Sequence, residues 1–134
     1  YCSEFLMHSY LAAYLGVPVC FLSGDKGICD QVKKFNENII TVPVKEGKGA
    51  STINIHPNKA LELIKNGMKE ALKGDLGKNK LELPKNFSIE IRYNFHGNAY
   101  KNSFYPGAIQ NSPKSILFEA NDYFEIMRAL SFLI

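Results

Sequence analysis

The sequence predicts an α/β arrangement followed by an α+β one. A partial α/β layer, ordered helix–strand–helix–strand, precedes a mixed sheet with two helices. Three observations carry this reading. Residues 3–44 alternate a helical hydrophobic pattern with short β-branched runs, the rhythm of a layer built on a parallel sheet. Residues 87–93 alternate apolar and polar positions strictly, as a strand with one solvated face does. Polar segments rich in Gly, Lys and Asn separate the periodic stretches.

Each element follows in order. Ser3 is a good N-cap for a helix over residues 4–15, and Gly16 a good stop. That helix is apolar almost all round, which predicts that it is largely buried. Residues 17–22 form a short apolar run that predicts a buried strand, with Pro18 near its start. Ser23, Gly24 and Asp25 read as a turn, and Asp25 can cap the next helix. Ile28, Val32 and Phe35 fall at i, i+4 and i+7 of that helix. Residues 39–44 form a second β-branched run. Two strands do not make a stable sheet alone, so further strands or a partner are expected to complete it.

Residues 45–51 read as a flexible polar loop, and residues 52–55 alternate weakly. Pro57 suits the first position of a helix whose predicted apolar face is Ala60, Leu61, Ile64, Met68, Ala71 and Leu72. Residues 73–80 read as a linker. Residues 94–113 read as a long aromatic, Asn-rich loop or short strands. Residues 115–119 suit a strand, and Asn121 or Asp122 caps a last helix. The change of style falls near residues 45–51. The expected division is therefore an α/β metal-binding part over residues 1–49 and an α+β part over residues 50–134 that forms a cleft wall and subunit contacts.

Composition narrows the function classes. The chain has 134 residues, 46% hydrophobic and 22% charged, which excludes intrinsic disorder and a fibrous repeat. The formal charge is +3, and Arg92 and Arg128 are its only arginines. A scattered lysine excess without an arginine-bearing patch argues against a nucleic-acid partner. No apolar run approaches ~18 residues, so no membrane span is expected. Cys2, Cys20 and Cys29 match no zinc or disulfide spacing and suit a reducing, cytoplasmic compartment. The first residue is Tyr1, so a processed chain or a piece of a longer one is expected.

Glu4 and His8 stand at i, i+4 on one helix face. A carboxylate and an imidazole so placed can share a metal; equally, Glu4 suits the first turn for its charge alone. Lys45 and Glu46 follow a buried strand and can reach a cleft at its carboxyl end. Lys45-Glu46-Gly47-Lys48-Gly49 lacks the spacing of a phosphate loop. His56 suits a turn-and-cap role, with a ligand role as the alternative. His96 lies within the aromatic loop. Tyr93, Phe95, Tyr100, Phe104 and Tyr105 line a pocket or form a satellite core. Cys2 or Cys29 paired with a histidine would make a nucleophile, but no strained glycine-rich elbow surrounds either. These residues alone complete no metal set or triad.

Residues 3–25 read Ser-Glu-Phe-Leu-Met-His, then Val17-Pro18-Val19, then Gly24-Asp25. This resembles the Gly-Glu…Val-Pro-Val…Gly-Asp segment of the DppA-type D-aminopeptidases, a family of zinc peptidases. Val42-Pro43-Val44-Lys45-Glu46-Gly47, the His56-Pro57 helix start, the strand at 87–93, Pro106-Gly107 and the final helix follow in the family's order. The resemblance implies an enzyme that removes N-terminal residues from short peptides, a two-zinc site and a homo-oligomer. It makes Glu4 a zinc ligand. The family's other ligands, an Asp-x-Glu-Gly strand end and upstream histidines, have no counterpart here, nor has its catalytic histidine. The chain then corresponds to a C-terminal portion that binds zinc weakly and is inactive alone, with no catalytic residue of its own. Ser3 stands where the family has Gly, and His8 where it has Asn. His8, Lys45, Glu46 and His96 are the candidate substrate-binding residues. The alternative reading is a non-catalytic α/β binding or assembly module.

Overall fold

The computed structural model describes residues 2–134. Among the described residues six strands form two three-stranded sheets, accompanied by five α-helices. Packing divides the chain into two units. One comprises the residues up to Tyr14 together with Glu82–Ile134, and the other comprises Leu15–Leu81. This differs from a division at 49/50.

The Leu15–Leu81 unit is built on β1 (Phe21–Asp25), α2 (Lys26–Phe35), β2 (Ile40–Lys48), β3 (Ser51–Asn54) and α3 (Pro57–Lys73). β1 and β2 pair in parallel through the α2 crossover, as the rhythm predicts. Asp25 closes β1 rather than lying in a turn, and its carboxylate accepts from the Gly27 N–H at 2.7 Å, capping α2. The expected loop at 45–51 is instead a hairpin. β2 runs on to Lys48 and pairs antiparallel with β3. Gly49 turns the chain with φ +61° and is followed by a residue of negative φ, the pattern of a type II′ turn. A break at 49/50 would cut through this tip. α3 also belongs to this layer. A Cβ on Gly67 would meet Val42 Cγ2 at 2.8 Å and Phe21 Cε2 at 2.9 Å, so glycine sets how closely the helix approaches the sheet. The buried side of α3 is accordingly Gly67 and Ala71, while Leu61, Met68 and Leu72 are exposed. The expected linker at 73–80 is pinned: Leu76–Asn79 form a 3₁₀ turn capped by Asp75, and Asn36 Nδ2 donates to the Lys78 carbonyl.

The other unit joins α1 (Glu4–Tyr14) to β4 (Phe87–Arg92), α4 (His96–Asn102), β5 (Ala108–Ser112), β6 (Ser115–Ala120) and α5 (Tyr123–Leu133). Its antiparallel sheet has the order β4-β6-β5. Residues 94–107 include the short helix α4, which low-propensity Asn and Gly hid from the sequence pattern. The core is Ala99, Ile116, Phe118, Tyr123, Ile126, Ala129 and Leu133. β4 alternates half-buried and exposed residues throughout, as expected. The buried stripe of α5 is Tyr123, Ile126, Ala129 and Leu133, while Phe124 and Phe132 face out. Tyr93 Oη donates to the Leu133 carbonyl at 2.8 Å and accepts from Asn102 Nδ2, tying α4 and α5 together.

α1 joins this unit through one side. Tyr10 packs on Phe87 and Tyr123, and Tyr123 Oη donates to the Met7 carbonyl at 2.9 Å. The expectation of a largely buried helix does not hold: Ser9 is its only buried residue. Apolar residues surround α1, but α5 and β4 cover one side of it.

Candidate functional site

The start of α1 is organised as the sequence predicts. Ser3 Oγ accepts from the Leu6 N–H at 3.3 Å, and the Ser3 carbonyl accepts from the Met7 N–H at 3.1 Å. Glu4 is therefore the first helical residue, exposed at the positively polarised end of the helix dipole. His8 lies one turn on, also exposed, with Nδ1 2.9 Å from the Glu4 backbone carbonyl. The two residues are brought together, but this contact runs from the ring to the main chain.

The remaining candidates are dispersed. Lys45 and Glu46 are consecutive in β2, opposite Asn54 and Ile53 of β3, and both are exposed. Their side chains point to opposite sides of the strand. Lys45 also pairs in register with Asp25 across a bulge at the carboxyl end of β1. Near this end Lys26 bonds Asp30 at 2.5 Å. That hydrogen bond and the Asp30 charge, with smaller help from Glu46 and Asp25, raise the Lys26 pKa. His96 opens α4, exposed, with its ring 4.6 Å from that of Phe95. His56 caps α3 by accepting from the Asn58 N–H at 3.2 Å, which is the turn-and-cap role. Among the described residues no group of three or more His, Cys, Asp or Glu is placed to hold a metal ion.

The aromatic set divides. Tyr93 and Tyr105 pack into the core, whereas Phe95, Tyr100 and Phe104 are exposed. The three cysteines are free, with Cys2 exposed and Cys29 buried. Burial is the main cause that raises the Cys29 thiol pKa, which disfavours a thiolate nucleophile there.

A groove of about 400 Å³ went unread in the sequence. It runs beside β4 and is lined by Leu6, Met7, Tyr10, Phe87, Tyr123 and Ile126 among others. Tyr123 is 6% exposed, and burial pushes its phenol up to about 12, so it stays a neutral donor to Met7. Glu90 is the one carboxylate along the groove. Hydrogen bonds from Ser115 and Asn111 lower its pKa, with Arg92 adding less. A tyrosine directly after the Asp122 cap was one sequence signal, because a buried tyrosine needs a partner for its hydroxyl. No helix among the described residues is long and apolar enough to cross a membrane.

Comparison with known proteins places this geometry. The D-aminopeptidase of Bacillus subtilis (strain 168) is 26% identical over 129 residues, which cover 95% of this chain and 47% of that protein. The structure of the Zn-dependent D-aminopeptidase DppA from Bacillus subtilis, described as a self-compartmentalizing protease, superposes with a TM-score of 0.86 at 24% identity. It covers 98% of this chain and 49% of that one, and it establishes the shared fold. The chain thus spans about half the length of these relatives. The family model described as D-aminopeptidase matches residues 1–132, so the chain belongs to the D-aminopeptidase family of peptidases.

Proposed function

We propose that this chain is the C-terminal portion of a zinc-dependent aminopeptidase that removes N-terminal residues from short peptides, with Glu4 as one zinc ligand. The observation that carries the reading is the family match over residues 1–132 combined with Glu4 at the exposed, capped start of α1. A carboxylate there is held at the end of a regular element, beside the positively polarised end of the helix. Carboxylate oxygen is an established zinc donor.

The residues present do not fit a two-zinc site by themselves. A metal site of this kind needs three or more protein donors per ion, and the described residues offer no such group. The remaining donors therefore lie outside these 134 residues, and the chain alone binds zinc weakly and hydrolyses no peptide. His8, Lys45, Glu46 and His96 contact the peptide, and the enzyme works in the cytoplasm as a homo-oligomer. The neighbour's description as self-compartmentalizing supports the last point. The alternative reading is a non-catalytic α/β binding or assembly module.

Zinc analysis and peptide-amide hydrolysis on the intact protein that carries this sequence separate the two. About two zinc ions and release of N-terminal residues from short peptides are expected. Neither metal nor hydrolysis in the intact protein would leave the assembly module.

A further inference from the structure

Of the three histidines, His8 combines a carboxylate one turn away with a hydrogen bond that fixes its tautomer. His8 Nδ1 lies 2.9 Å from the Glu4 backbone carbonyl. A carbonyl oxygen only accepts, so the proton of the neutral ring sits on Nδ1 and Nε2 carries the lone pair. The bond also lays the ring over the preceding turn, the one that Glu4 opens.

The other two histidines lack this combination. His56 is the opposite tautomer: its Nδ1 accepts from the Asn58 N–H, which puts the ring proton on Nε2. Thr52 and Ala60 stand four residues to either side of it. His96 has Arg92 and Tyr100 in those places.

Glu4 and His8 are both exposed, on the same face of α1. Residues at this spacing hold their Cβ atoms about 5–6 Å apart. Two side chains of this length reach one ion at the roughly 2.0–2.2 Å that zinc takes to imidazole nitrogen or carboxylate oxygen. Two ligands at i and i+4 of one helix is a known zinc-binding spacing. A histidine that ligates a metal almost always gives its other N–H to a carboxylate, a backbone carbonyl or water, which orients the ring. Here that supporting bond goes to the Glu4 carbonyl, so the same residue orients the imidazole and supplies the neighbouring oxygen donors. A ring oriented within its own helical turn loses little freedom on binding.

We propose that His8 Nε2 and the Glu4 carboxylate together hold one divalent transition-metal ion of the zinc class, a role that rests on the zinc reading above and adds a nitrogen donor to it. Water or donors outside these 134 residues fill the other positions. An imidazole–carboxylate pair selects zinc over magnesium or calcium, which take oxygen donors. Two donors alone hold an ion weakly, in keeping with weak zinc binding by the chain by itself.

Metal binding by the intact protein tests this with two readouts. The first is zinc affinity by chelator competition. His8→Asn keeps an N–H that can reach the Glu4 carbonyl but has no counterpart of Nε2. It should hold one zinc ion at least tenfold more weakly than the parent, since even the outer partners of metal ligands act on that scale. The second is acylation of His8 by diethylpyrocarbonate, read by mass spectrometry on the parent. His8 should react in protein stripped by a chelator and be protected at least tenfold by zinc, but not by magnesium. An unchanged zinc affinity in His8→Asn, or His8 labelling that ignores zinc or fails in stripped protein, would overturn the proposal. Glu4→Gln in the same competition separates the two claims. Zinc lost in Glu4→Gln but kept in His8→Asn sinks the His8 role alone, whereas a parent that binds no zinc sinks both.

Discussion

Replacing Gly67 by alanine tests how the Leu15–Leu81 layer is held. The added Cβ would lie 2.8 Å from Val42 Cγ2 and 2.9 Å from Phe21 Cε2. Comfortable carbon–carbon contact is about 3.5–4.0 Å, so helix or sheet must give by roughly 0.7–1 Å. Val42 is β-branched and stiff, and Phe21 presents a ring edge, so neither yields by a simple rotamer change. Overpacking of this kind costs about 1–3 kcal/mol. Alanine in place of glycine in a helix returns about 1 kcal/mol. The expected net loss is about 1 kcal/mol, read as a lower urea midpoint with unchanged slope. Val42→Ala removes one of the two clashing neighbours, the Val42 methyl. The double variant should therefore be more stable than the two single losses added together, by about 0.5–2 kcal/mol of coupling. A Gly67→Ala protein as stable as the parent, or strict additivity with Val42→Ala, would refute the close approach of α3 to β1 and β2.

Two further outcomes follow from the other unit and the cysteines. The Tyr123 phenol is pushed up to about 12 from an ordinary 10, so the folded state keeps a proton that the unfolded chain loses first. Stability should be full below pH 10 and decline from about pH 10 to about 12. In Tyr123→Phe that component of the decline disappears. The same variant loses the bond to the Met7 carbonyl and should be destabilised by about 1 kcal/mol in urea unfolding at neutral pH. An unchanged alkaline profile in Tyr123→Phe would show that another group controls it. Iodoacetamide at neutral pH should label exposed Cys2 readily and leave Cys29, 2% exposed, unmodified until the chain unfolds; prompt labelling of Cys29 in the native protein would contradict its burial.

Much of the fold was legible because local chemistry marked it. Ser3, Asp25, Pro57 and Asp122 stand where helices begin, and the strict alternation at 87–92 is a strand. What escaped depended on partners distant in sequence. Gly67 carries no hydrophobic side chain, yet α3 approaches the sheet closely there, so the apolar pattern pointed to Leu61, Met68 and Leu72 instead. Lys45–Lys48 looked like a loop because an exposed hairpin arm needs no buried face. α1 looked buried because its composition does not say which apolar side has a neighbour. The site was legible in one position. Ser3 predicted the helix start that displays Glu4, but spacing left Glu4 open between charge capping and metal binding, and the family resemblance supplied the metal role. The groove beside β4 joins residues more than 100 positions apart, Met7 and Tyr123 among them, and its one local sign was the tyrosine directly after the Asp122 cap.

The proposed role of Glu4 as a zinc ligand is open to direct measurement. The most direct measurement is the bound zinc of the intact protein as parent and as Glu4→Gln, with peptide-amide hydrolysis on the same samples. Glutamine keeps the size of the side chain and the Ser3 cap while removing the charge. An exposed first-turn charge contributes only about 0.3–1 kcal/mol to stability, so folding should be retained. The account predicts about two zinc ions and activity in the parent, and loss of at least one ion and of hydrolysis in Glu4→Gln. A folded Glu4→Gln protein that keeps the parent's zinc and rate would contradict it.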